Sequence, residues 1–518
     1  MTAATPPATA PPPRLGRTLF NLFFASFGYV AIRMVIAPVR IKLLTSLLTK
    51  EDYALLTLVM LTVSFISLVT SLGSLEFMLR KLPGRAVAYQ FETLRTVMTA
   101  FGLLTGLIAL AGAGILIAWQ PDKLGLTPGH IVACALILIL TVHLIQLVYF
   151  LMGRSQYAQS RLLMLIYADA WFLPLAGFMW FIDIQVGFML WLWVVWLLGS
   201  LILAMAYVGP RPLLAQRFSR RRLSDIFVFG IPLMPMVMGE WIFQMQDRYV
   251  LLAFTNLEAV ANFTLCFNIA WVGATTGMSL LDVLVTEFYK ARNRVRSTNL
   301  EDLLAAVPLR TSFSLLLRYG LVLGIPILLA LWIGRVPIIL LLSDPKFADA
   351  APIMRWVAPL PFLYLLVVIT GRTLVAMDRS AVVGAGTLCA AGLHLVLSIL
   401  LAPRLAERGV ALAGCIAYAT LAIYLGVRGK VHRWIEWPQL RIGRMLLFIL
   451  ATAFGLHGAV VWLPGRHLLA LLAGGAISLA AMLGLGLVHI DDVRHLIQSM
   501  HAPIEPEDLP PVEANGTG

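Results

Sequence analysis

Apolar runs of about 20 residues recur along the chain, divided by short polar turns. Each is long enough to cross ~30 Å of hydrocarbon as a helix. The pattern predicts fourteen spans, at roughly 19–48, 53–79, 96–119, 129–152, 162–182, 186–208, 226–254, 259–286, 312–334, 352–374, 381–402, 409–427, 443–463 and 467–488. The alternating ten-residue pattern of a membrane β-barrel does not occur. The fold class expected is therefore an all-α polytopic membrane protein. Its spans divide into two six-helix bundles, related by a pseudo-twofold repeat in a V-shaped arrangement, plus two C-terminal helices.

The breaks in the pattern suggest the organisation. Residues 1–13, rich in Thr, Ala and Pro, are expected to be disordered. Residues 14–208 form the first bundle and 226–430 the second. Between them, 209–225 (GPRPLLAQRFSRRRLSD) is a basic cytoplasmic linker. Residues 431–490 supply two extra transmembrane helices, and 491–518 a cytoplasmic tail.

Charge tests the span count. With the N-terminus in the cytoplasm, 26 of the 39 Lys and Arg residues fall in inner segments and 8 in outer loops. One miscounted span would scramble this positive-inside bias. Both termini are then expected to be cytoplasmic. The same distribution accounts for the net charge of +13 without nucleic acid. A hydrophobic content of 60% excludes a soluble protein of this size. Every outer loop is too short for a folded catalytic domain, so an enzyme is not expected. No metal or nucleotide motif occurs, and no cofactor is implied beyond possible H+ or Na+ coupling. The aromatic run FMLWLWVVW at 188–196 lacks polar counterparts at helical spacing and is read as lipid-facing.

Polar residues inside the spans carry the candidate chemistry, because a charge in hydrocarbon costs at least ~2.5–3.5 kcal/mol. The span 226–254 holds Glu240, Gln244, Asp247 and Arg248 at i, i+4, i+7 and i+8, one helix face. Pro232 and Pro235 precede them and are expected to kink the helix. A shift of 207 residues registers the two halves: Glu51 falls on Glu258, Ala54 on Ala261 and Thr57 on Thr264. The same shift sets Arg33 on Glu240 and Arg40 on Asp247, basic in one half and acidic in the other. A cavity between the bundles is thus expected to take its cations from Arg33, Arg40, Lys42, Arg248 and Arg318. For Arg40, Lys42, Asp247, Arg248 and Arg318, nearer the span ends, an interfacial role competes. Glu240, Asp247 and Asp169 are candidates for ion coupling or charge pairing, and Gln244 for the polar cavity face.

Three segments carry a resemblance. The stretch LLTKEDYALLTLVMLTVSFISLVTSLGSLEFMLRKL, QDRYVLLAFTNLEAVANFT at 246–264 and PRLAERGVALAGCIAY at 403–418 are similar to the corresponding parts of Wzx-type polysaccharide flippases. That superfamily also holds lipid II flippases and MATE-type multidrug exporters. The resemblance implies a bacterial inner-membrane protein that moves an undecaprenyl-diphosphate-linked oligosaccharide outward by alternating access. Implied partners are that lipid-linked oligosaccharide, membrane lipids and polysaccharide polymerase or co-polymerase proteins. Alternatives are a MATE-like multidrug or small-solute exporter, a membrane-embedded glycosyltransferase or ligase, and a secretion-complex scaffold.

Overall fold

The computed structural model describes residues 15–83, 85–119, 126–154, 156–178, 185–294, 307–377 and 379–488. The N-terminal segment 1–13 and the tail 491–518 lie outside them. Among the described residues every regular element is helical, so the chain is an all-α polytopic membrane protein.

The first half contains α1 (Leu15–Leu47), α2 (Lys50–Ser71), α3 (Ser74–Lys81), α4 (Val87–Trp119) and α5 (Pro128–Gly153). It continues with α6 (Tyr157–Met164), α7 (Leu173–Phe178) and α8 (Val186–Val208). Their starts follow local chemistry. Thr49 caps α2 by accepting from the backbone N–H of Asp52, with Glu51 and Asp52 in the positive first turn. Helix α5 packs on α2, α4 and α8 and forms the centre of this half.

Short α9 (Pro210–Leu214) and α10 (Arg220–Gly230) follow. Although α10 begins the seventh span, it packs on α3 and α4 of the first half. Phe229 meets Phe77 at 5.7 Å and Phe227 meets Phe101 at 5.9 Å. The expected start of the second bundle at 226 therefore falls inside an element docked on the first. A 3-10 turn at Ile231–Leu233, containing Pro232, then breaks the span. Beyond it lie α11 (Met234–Met245), α12 (Asp247–Phe254), α13 (Leu257–Arg294), α14 (Val307–Ile333) and α15 (Arg335–Leu342). The second half ends with α16 (Ala351–Val357), α17 (Pro359–Ala376) and α18 (Ser380–Arg428).

Ten helices among the described residues are long and apolar enough to cross a membrane. Fourteen stretches were expected, and three features account for the difference. The fifth and seventh spans are each built from several short helices, and α1 lies outside that set of ten. Helix α18, 49 residues long, covers the eleventh and twelfth spans with a kink at Ala406 (φ 48°) just past Pro403. After α19 (Trp437–Leu440), α20 (Ile442–Trp462) and α21 (His467–Gly484) cross closely, Gly455 facing Ile477 and Gly474 facing Leu456. This pair packs on α14 and α15.

The halves meet where α1 passes into α2. At the α1–α2 turn, Lys50 bridges Glu258 at 2.5 Å and Asp349 at 2.6 Å, both in the second half. Nearby, Lys42 donates to Ser343 O at 2.5 Å, and Thr45 accepts from the N–H of Asp344 at 3.1 Å. At the far end of α2 the chain turns through left-handed Leu72 and Gly73 (φ 74°) against Gly230, the last residue of α10, so this contact holds α10 to the first half. Backbones touch so closely there that neither glycine could carry a Cβ.

Both acids of the Lys50 bridge are about half exposed, at 51% and 52%. The bridge therefore contributes only on the order of 1 kcal/mol. Replacing Lys50→Ala is expected to separate the halves at this end in a minor population. Distance distributions between spin labels at Ser46 and Lys346, both exposed, should gain a longer component; an unchanged distribution would remove the bridge as a closure.

Candidate functional site

The site grows from one face of α1. Tyr29, Arg33 and Arg40 are spaced four and seven apart, so they stack along a single stripe. Asn268, Trp271 and Thr275 form the matching stripe on α13, at spacings of three and four. These stripes line a cavity of about 200 Å³ between the two halves.

The anion facing α1 comes from the broken fifth span. After α6, residues Leu165–Asp169 form a π-helix, marked by the bond from Ala170 N–H to Leu165 O at 2.9 Å. The wider turn frees carbonyls and changes the direction of the following side chain. Trp196 Nε1 donates to Ile166 O at 2.8 Å, and Arg40 Nη1 approaches Ala168 O at 3.5 Å. Asp169, 3% exposed, thereby meets α1. Arg33 Nε lies 3.3 Å from its Oδ1 and Arg40 Nη1 3.8 Å. Tyr29 Oη donates to Oδ2 at 3.3 Å. The guanidinium of Arg161 lies 5.4 Å from the Tyr29 ring.

Three expected site residues are thus brought together: Arg33, Arg40 and Asp169. Others stand elsewhere. Lys42 joins the contact at the Lys50 end instead of the cavity. Arg248 is 1% exposed; it donates to Gln244 O at 2.7 Å and lies over the Phe267 ring at 4.0 Å. Arg318, also 1% exposed, donates to Gln439 O and Tyr319 Oη, both at 3.3 Å, and ties α14 to α19. The expectation that Lys42, Arg248 and Arg318 line the cavity is corrected on these grounds: each cation has protein partners away from it. Helical spacing gives the face of a residue but not what packs on that face.

The acidic face of the seventh span also divides. Glu240 is exposed and accepts from Gln244 Nε2 at 3.4 Å; Arg372 and Glu76 are its charged neighbours. Asp247, beyond the turn at Gln246, is buried in the second half. His394 Nε2 stands 3.0 Å from its Oδ1, off the hydrogen-bonding direction. Gln246 Nε2 bridges Asp247 Oδ1 and Ser398 Oγ. The aromatic run divides likewise. Trp191 and Val195 are exposed, whereas Trp193 stacks on Trp171 at 5.1 Å and Trp196 holds the π-helix. The inner end of the eighth span, where the sequence suggests that Asp282 and Glu287 pair with the basic residues Lys290–Arg296, lies outside the described side chains. Tyr29 was missed although its position four before Arg33 signalled it. Asn268 and Trp271 carried no comparable signal.

Asp247 and His394 are each 1% exposed; without His394 the carboxylate keeps Gln246 Nε2 but loses the imidazole beside it. His394→Leu is expected to destabilise the protein by about 1–3 kcal/mol, the scale of a buried polar group that loses a partner. Adding Asp247→Asn should recover part of the loss, measured by thermal unfolding in detergent. Additive losses in the double variant would show that the two groups do not interact.

No protein-family model matches the sequence, and no curated protein matches it. Solved structures do. Lipid II flippase MurJ in an inward closed conformation is 13% identical; the match covers 92% of this chain and 100% of that one, with a TM-score of 0.68. An outward-facing multidrug resistance MATE family transporter is 13% identical over 82% and 96%, with a TM-score of 0.57. A MOP superfamily transporter from Pyrococcus furiosus is 12% identical over 81% and 95%, with a TM-score of 0.56. At these identities the likeness is one of fold, and the chain has the fold of MOP-superfamily transporters and flippases.

Proposed function

We propose that this protein is a flippase for a lipid-linked oligosaccharide joined through a diphosphate, moving it from the cytoplasmic to the outer leaflet of a bacterial inner membrane. The carrying observation is the placement of Arg33 and Arg40 in a cavity between two helical halves. A sugar–diphosphate head cannot cross hydrocarbon unaided. Guanidinium forks match phosphate oxygens in pairs and stay charged when desolvated. The cavity of about 200 Å³ has room for phosphate groups but not for an oligosaccharide. Translocation therefore requires the halves to separate, one end at a time. Lipid tails can remain in the bilayer throughout.

A lipid II flippase and multidrug transporters share the fold, so fold alone does not choose between substrates. The cationic stripe on α1 favours an anionic head group over an amphipathic cation. In this reading, ion coupling falls to Glu240, the exposed acid among the candidates. Glu240→Gln should abolish the dependence of flipping on a proton or sodium gradient in vesicles; retained dependence would exclude Glu240 from coupling.

The decisive experiment is complementation. In a strain lacking the gene, undecaprenyl-diphosphate-linked oligosaccharide should accumulate on the cytoplasmic leaflet. Wild type should clear it, and Arg33→Ala should clear it at least about tenfold more slowly at equal protein level, the scale of one lost charge-assisted contact. An unchanged lipid pool with raised drug sensitivity would transfer the assignment to an exporter.

A further inference from the structure

The cavity cations already have a partner. Asp169 is buried, and the π-helix sets it against α1. Its contacts are long for charge-assisted bonds, 3.3 Å to Arg33 and 3.8 Å to Arg40, against about 2.7–2.9 Å for tight ones. The two arginines differ in exposure. Arg33 is 43% exposed and meets the carboxylate through Nε, the base of its fork. Arg40, 22% exposed, also reaches Ala168 O. One arginine is therefore open to the cavity, and the other is held by the same turn that carries Asp169.

We propose that Asp169 is a positioning residue and resident counter-anion. It aims Arg33 through Nε and lowers the positive charge of the empty cavity. An entering diphosphate then takes the place of Asp169 on Arg33. This inference rests on the flippase reading above. While the substrate is bound, Asp169 keeps Tyr29 and Arg40. As the substrate leaves, Asp169 recaptures Arg33, so the guanidinium is never left without an anion in a low-dielectric site. The carboxylate thereby weakens substrate binding and assists release. Without it, the cavity would hold its cargo too tightly to turn over.

Two of the charged groups around this exchange come from α1, Arg33 and Arg40, and Arg161 of α6 lies beside Tyr29. Among the described residues the α13 wall contributes the polar Asn268 and Thr275 but no charge. Net attraction therefore depends on one carboxylate, and removing its charge should be visible in binding.

The test uses the purified full-length protein and inorganic pyrophosphate, followed by calorimetry at several salt concentrations. Asp169→Asn keeps the shape and the acceptor for Tyr29 and Arg33 while removing the charge. It should bind pyrophosphate about three- to tenfold more tightly than wild type, with a steeper salt dependence. In cells it should nevertheless clear the lipid-linked oligosaccharide more slowly. Asp169→Ser removes the same charge and provides the reading if the Asn variant does not fold. Equal or weaker binding by the charge-removed variant, with wild-type binding intact and lost in Arg33→Ala, would overturn the counter-anion role alone. Failure of wild type to bind pyrophosphate, or binding that Arg33→Ala leaves unchanged, would overturn the anion site and this inference with it.

Discussion

A charge removed from water must find an opposite charge or a set of dipoles, and that requirement organises the centre of this protein. Arg33 and Arg40 on α1 are answered by Asp169, and Asp169 is available only because the fifth span departs from α-helical geometry. The departure is supported in turn. Trp196 satisfies a carbonyl of the π-helix, and Trp193 stacks on Trp171 just past it. Aromatic residues of α8 thus help to hold the turn that carries Asp169. The cavity wall, the broken helix and the packing behind it form one connected structure.

The second half meets the same requirement differently. There the charges withdraw into the core. Arg248 lies on the ring of Phe267, and Asp247 is matched by His394 and Gln246. The repeat aligns Arg33 with Glu240 and Arg40 with Asp247. The surroundings of the aligned positions are not equivalent: one pair shares a single carboxylate, while the other divides between an exposed and a buried site. The internal symmetry is one of backbone more than of chemistry.

The two ends of α2 are also unlike. At the Lys50 end, flexible charged side chains join it to the second half, each partly wet and exchangeable with water. At the Gly73 end, backbone lies against backbone at two glycines. A polar bridge weakens gradually as its atoms separate, whereas close packing is lost over a fraction of an ångström. The contact across the halves is thus the one suited to separating, while close packing keeps α10 fixed to the first half.

Much of this was legible along the chain. Hydrophobic run lengths determined the all-helical membrane fold, because a bilayer admits few ways to satisfy a spanning backbone. The prolines before Glu240 marked the break that appears as a 3-10 turn at Ile231–Leu233. The cost of intramembrane charge singled out Arg33, Arg40 and Asp169 as residues in need of explanation. Their meeting was not legible: residues 33 and 169 stand on separate helices, and no local rule brings them to 3.3 Å. Nor could periodicity foresee that Arg248 and Arg318 turn into protein, since a helix face has no sign saying whether lipid, water or a neighbouring helix covers it. The sequence by itself determined that the chain is an all-helical polytopic membrane protein and which charges within its apolar runs need a partner. Tertiary packing alone decided which partner neutralises each, because that depends on distances between helices remote in the chain.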